Sequence, residues 1–275
     1  MLVQQLVNGF VLGATYALFA LGFTMMFGVL GVINLTYGVY FALGAFAALW
    51  ASKAIGLSVW LALPFGAAVA GCIAVLVDTL LLTRLRRAKA PELSSLMVTI
   101  RRFAADFAPS AAFEIAGVRV VATQALIVVA ALLMAAALIW IVRGTKVGLA
   151  VRGVAENPDA AALMGVNGAL ITHLVSFMSG ALGGAAGVLI GLNFNAIQPF
   201  MGENMMLRGF AVIIIGGLGD LRGALIAGFL LGIIEVLTAG YFASAAKDLI
   251  AFALLVLTLW IRPVGLFGRA AAKRA

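Results

Sequence analysis

From Val120 to Val142 the chain reads VVATQALIVVAALLMAAALIWIV, without one charged residue. About 20 such residues in a helix cross the ~30 Å hydrocarbon core of a bilayer. With no water inside that core to satisfy backbone groups, such a stretch has to bond within itself, as a helix. Similar runs cover roughly 3–27, 30–52, 58–83, 169–192, 205–219, 222–240 and 247–261. Charged residues are 10% of the chain, where a soluble domain carries about a quarter. The alternating segments of about ten residues that build a membrane β-barrel are absent from the sequence. The prediction is an all-α polytopic membrane protein with about eight or nine membrane segments in one domain over residues 1–275.

The formal charge of +8 would suggest nucleic acid in a soluble protein. Here its distribution matters more. Eleven of the 18 Lys and Arg lie between Arg84 and Lys89, Arg143 and Arg152, and Arg262 and Arg274. The positive-inside rule places all three clusters in the cytoplasm, with the N-terminus outside and the C-terminus inside. The N-terminal MLVQQLVNGF lacks a basic leader region and reads as the first membrane helix. The lone cysteine, Cys72, excludes a disulfide framework.

The crossing count fails once. The third run ends inside at Arg84, whereas the run from 120 has to begin outside. The apolar material between them is Leu93 to Ile100, followed at once by Arg101, Arg102 and Asp106. Eight residues of helix cover about 12 Å. An anomalous, shortened segment is therefore expected at about 100–112. Glycines at 180, 183, 184 and 187 form small-xxx-small faces that suit helix packing inside the subunit or between subunits. No internal repeat is evident.

One stretch is polar: VRGVAENPDAAALMGVNGA, Val151 to Ala169. Asn157-Pro158 supplies an N-cap with Pro at the first helical position, Asp159 sits in the first turn, and Gly165 ends the helix. By the charge rule it lies in a cytoplasmic loop at about 143–168. Physical reasoning leaves two readings, a connector lying on the membrane or a helix that docks on another chain.

Asp159-Ala-Ala-x-x-x-Gly165 resembles the E-A-A-x-x-x-G loop of ABC importer permeases. The wider sequence resembles the branched-chain amino acid permeases. The likeness covers QQLVNGFVLGATYALFALGFTMMFGVLGVINL at the start, GGLGDLRGALIAG from Gly216, and RPVGLFG from Arg262. The early start and the length are similar to the smaller of the two permease subunits in that family. The resemblance implies an importer of branched-chain or related amino acids in a bacterial-type inner membrane. It implies a homologous second permease, two cytoplasmic ATP-binding subunits, an extracytoplasmic binding protein and surrounding lipid as partners. ATP would be bound by the partner subunits, with no cofactor and no catalytic residue on this chain. Coupling to the ATPase would fall to Asp159, Ala160, Ala161 and Gly165, with Arg152 nearby. Substrate would pass between the two permeases.

The chain departs from the family pattern in three places. After MVTI (Met97 to Ile100) a longer apolar helix is usual, and here Arg101 follows. The pattern I-N-(F/L)-A-H-G reads Ile33-Asn34-Leu35-Thr36-Tyr37-Gly38, with Tyr for His. Asp159 replaces Glu and keeps the charge at a helix N-terminus.

Asn34, Thr36 and Tyr37 place polar groups between two apolar runs and are candidates for a translocation path. Glu235 joins them as an acid in an apolar run, where ionisation costs about 2.5–3.5 kcal/mol on insertion scales. A hydrogen-bonded interior role for it is an equal reading. Gly216-Gly217-Leu218-Gly219 lacks the Gly-Lys-Ser/Thr of a Walker loop. Two alternatives stand beside the amino-acid importer. One is a urea or short-amide permease. The other is a stand-alone secondary transporter or channel, which calls for matching halves and an intramembrane charge pair.

Overall fold

The computed structural model describes residues 2–31, 34, 36–84, 112–115, 118–242 and 246–268. The helices are α1 (Leu2–Leu30), α2 (Tyr37–Ile55), α3 (Val59–Arg84), α4 (Ala122–Gly144), α5 (Lys146–Glu156), α6 (Pro158–Leu163), α7 (Gly168–Phe194), α8 (Met201–Gly216), α9 (Leu221–Tyr241) and α10 (Ala246–Ile261). Each of the eight expected runs coincides with a helix. Among the described residues, six helices, α1 to α4, α7 and α9, contain windows long and apolar enough to cross a membrane. The 16-residue α8 and α10 reach about 24 Å each, less than a full core thickness.

Two features depart from the sequence reading. Strands β1 (Ala112–Ile115) and β2 (Val118–Val121) form an antiparallel hairpin, with Phe113 opposite Val120, so α4 starts only at Ala122. The second helix begins at Tyr37 rather than near residue 30. Gly31 turns the chain at a φ of 65°, and the Asn34 side chain accepts the Thr36 amide at 2.9 Å, a local turn that competes with helix. The shortened segment expected at about 100–112 falls almost wholly on residues 85–111, outside the described residues.

Lipid and protein interior are equally apolar, so close backbone approach, not hydrophobic contrast, selects helix neighbours. A Cβ built on Gly9 or Gly13 would lie 2.8 Å from the Cα of Ile233 or Phe229. Ala17 meets Gly228 and Gly28 faces Gly219, so α1 and α9 run antiparallel. In the same way α3 lies antiparallel on α7, with Ala70 and Ala74 against Gly180 and Asp78 against Ser176. Between these two pairs α1 crosses α7 at Gly22 and Ser179, whose Oγ donates to the Gly22 carbonyl at 2.8 Å. The first turns of α2 and α8 meet at Gly38 and Gly202, each without room for a side chain on the other's backbone.

Exchanging α1–α3 with α7–α9 maps these contacts onto one another: α1 on α9 becomes α7 on α3, and α2 on α7 becomes α8 on α1. The subunit contains an internal repeat that sequence inspection missed. The two halves share helix order and the placement of small residues, not recognisable side-chain identity.

The N-terminal ends of α1 and α4 meet where Gln124 Nε2 donates to Asn8 Oδ1 at 3.0 Å, with β2 beside them. At the opposite end lie α4's last turn, α5 and α6, and the start of α7. Segment 265–268 joins them there, its Leu266 and Phe267 amides donating to the Ile215 and Gly216 carbonyls at 2.9 and 3.2 Å. Asp78, near α3's C-terminus, and Ser176, near α7's N-terminus, tie α3 to that end. The repeat is therefore inverted: α1 runs toward the end from which α7 starts.

Candidate functional site

The polar stretch folds into an elbow. Thr145 caps α5 by accepting the Gly148 amide at 3.1 Å. Gly148 packs so closely on the carbonyls of Ile141 and Val142 that no side chain fits. Val151 and Val154 bury the inner face of α5. Arg152 lies on this helix and its Nη1 donates to the Val142 carbonyl, folding back over the C-terminus of α4, where a cation is favoured. Its guanidinium therefore holds the elbow.

Asn157 caps α6 by accepting the Ala160 amide at 3.0 Å, with Pro158 at the first position and Asp159 in the first turn. The Val166 amide donates to Ala161 O and the Gly165 amide to Ala162 O, both at 3.0 Å. That pair of bonds requires a left-handed residue after the helix, and Gly165 provides it at a φ of 82°.

Asp159, Ala160 and Gly165 are exposed, whereas Ala161 is turned into the subunit at 8% exposure. Of the expected coupling residues Ala161 is thus the inward one, and the exposed apolar side chains of this helix end are Leu163 and Met164, 89% and 84% exposed. The sequence did show them at the end of the helix, but nothing in their spacing told which side faces out.

The path candidates separate. Asn34 Oδ1 also accepts from Thr36 Oγ1, whose oxygen lies 3.1 Å from Tyr40 Oη. Asn34 and Thr36 are half-buried. Tyr37 has no exposed surface. Its hydroxyl lies 3.1 Å from Phe19 O and 3.2 Å from Ser179 O, and its ring stacks on Phe23 at 5.2 Å. It braces the crossing of α1, α2 and α7.

Glu235, 5% exposed, accepts from Tyr16 Oη at 2.8 Å. Arg208 Nη2 lies 3.3 Å from Glu235 Oε1 and 2.8 Å from Asp248 Oδ1. Its guanidinium stands 6.0 Å from the centre of the Tyr16 ring. One cation from α8 thus joins acids on α9 and α10 with a phenol on α1. Sequence inspection left Glu235 without a partner. The available signal was Arg208 itself, a lone cation in an apolar run, since an intramembrane charge normally implies its counter-ion.

Apolar spans in two inverted halves, with an ion cluster around the buried Glu235, define an integral membrane bundle. The chain belongs to the branched-chain amino acid transport system permease component family, whose model matches residues 5–259. It is 30% identical over 294 aligned positions to the high-affinity branched-chain amino acid transport system permease protein LivH of Escherichia coli K12, covering 97% of this chain and 96% of that protein. It is 29% identical, with the same coverage, to the permease protein BraD of Pseudomonas aeruginosa. It is 33% identical to a probable LivH of Methanocaldococcus jannaschii, covering 91% of this chain and 88% of that protein. No solved structure matches the chain at a significant level.

Proposed function

We propose that this chain is a permease subunit of an ABC importer that moves branched-chain or related amino acids across a bacterial-type inner membrane. The observation that carries the reading is the elbow. Leu163 and Met164 project from a short capped helix at the end of the bundle where α4, α5 and segment 262–268 bring their basic residues together. That end is assigned to the cytoplasm by the positive-inside rule. There an apolar tip held by Arg152, Asn157 and Gly165 can seat in a cleft on an ATP-binding subunit. A homologous second permease, two ATP-binding subunits and an extracytoplasmic binding protein complete the importer, with about eight or nine crossings in this chain. Hydrolysis takes place in the partners.

Support for the substrate class comes from the printed names of the relatives. The 294 aligned positions exceed the 275 residues of this chain, which supports a shortened segment relative to LivH. The matched halves and the Arg208–Glu235 pair also meet the requirements of a stand-alone secondary transporter. Co-expression decides between the two. The importer reading expects two ATPases to co-purify and uptake to depend on ATP. Uptake by this chain alone, driven by an ion gradient, would overturn it.

A further inference from the structure

The inverted repeat carries a matched pair of buried carboxylates. Glu235 on α9 takes a hydrogen bond from Tyr16 of α1, and Asp78 on α3 takes one from Ser176 of α7, both at 2.8 Å. Each acid lies on the third helix of one half and is held by the first helix of the other. Each stands six residues before the end of its helix, 235 against 241 and 78 against 84. Because the halves are inverted, the two acids lie toward opposite ends of the bundle. Each also has a nitrogen donor close by, Arg208 beside Glu235 and His173 beside Asp78.

The likeness ends in the state of the two clusters. Arg208 reaches both Glu235 and Asp248, joining α8, α9 and α10. His173 Nδ1 lies 3.8 Å from Asp78 Oδ2, against 2.8 Å from Arg208 Nη2 to Asp248 Oδ1, and the His173 side chain is 38% exposed. A hydrogen bond requires an approach of about 1 Å more. Each cluster also keeps one buried nitrogen without a partner, His173 Nδ1 and Arg208 Nε, so distance is what separates them. One cluster is closed and its counterpart is open in the same conformation.

We propose that the two clusters are opposed latches of alternating access. Arg208 with Glu235 and Asp248 holds the outer end shut, and His173 with Asp78 shuts the inner end when the outer one opens. Each latch stabilises one of two states, so weakening one shifts the population toward the other. The assignment of outer and inner rests on the orientation given under Proposed function; the reciprocity of the latches does not.

The test uses the full chain in membranes of cells producing the whole transporter, with Cys72→Ser as background. Reporter cysteines are Met205→Cys, one turn before Arg208, and Val175→Cys, beside Ser176. The native side chains there are 3% and 0% exposed. Their labelling rates by a small permeant maleimide report opening at each end. Asp248→Asn should speed labelling at 205 about three- to five-fold, the scale of one exposed ion pair, and slow it at 175. Asp248→Glu should restore the parent rates. His173→Ala should act in the opposite sense, slowing 205 and speeding 175. Unchanged rates, or both reporters accelerating together in either variant, would overturn the proposal. Labelling needs neither ATP nor substrate. A reciprocal pattern in a chain that binds no ATPase would sink the importer reading and leave the latches standing.

Discussion

The phenol of Tyr16 on α1 donates to the carboxylate of Glu235 on α9 at 2.8 Å, across 219 residues of sequence. Tyr16 lies one turn past Gly13 and Glu235 one turn past Gly232, two glycines whose backbones leave no room for a side chain between them. Hydrogen bonds to charged groups contribute about 1.5–3 kcal/mol. Tyr16→Phe should lower stability by about that amount while leaving the helix packing intact. Thermal unfolding in detergent, followed by loss of monodisperse protein, checks it; an unchanged midpoint would show that the bond adds nothing.

Removing one partner of the ion pair should be worse than removing both. Arg208→Met leaves Glu235 buried and unpaired, a loss of about 3–5 kcal/mol for a buried pair. Adding Glu235→Gln removes the uncompensated charge and should recover much of that loss. The measurement is the yield and melting midpoint of the single and double variants. A double variant less stable than the single would contradict the pairing.

At the elbow, Leu163→Asp and Met164→Asp should each abolish ATP-dependent uptake while the subunit still inserts and melts normally, since both side chains stand in solvent. Ala161→Asp should instead destabilise the subunit, because that side chain is buried. Co-purification of the ATPase with each variant separates the two outcomes. Full uptake with a charge at both 163 and 164 would remove the elbow from the coupling mechanism.

Gly165 occupies a left-handed backbone position with open space around its Cα. The cost of replacing it is conformational, of order 1 kcal/mol, not steric. Gly165→Asn should be tolerated best and Gly165→Val worst, with uptake falling in that order. Equal loss for both would mean that the site is crowded by a partner rather than limited by its backbone.

Cysteine at Gly144 should be protected from an impermeant thiol reagent in whole cells, and cysteine at Phe242 should react, with Cys72 replaced by Ser in both. The two positions lie at opposite ends of the bundle, at α4's last residue and just beyond α9. The reverse pattern would invert the orientation drawn from the basic clusters.

Hydropathy alone determined that this chain is a bundle of membrane helices. A run such as 120–142 has one way to satisfy its backbone in lipid, whatever surrounds it. Asn157, Pro158 and Gly165 likewise mark a helix by local chemistry, with every interaction inside nine residues of chain. Tertiary structure decided which side of that helix faces out, and it placed Ala161 inward and Leu163 and Met164 outward. It also decided that Tyr37 is a brace, that Glu235 has Arg208 and Tyr16 as partners, and that the chain is an inverted repeat. These are relations between residues far apart in sequence, selected by where glycines and alanines let backbones touch. Lipid and protein interior are alike in polarity, so an apolar helix carries no stripe to announce its neighbours. Only the packed arrangement of small residues distinguishes one face from another.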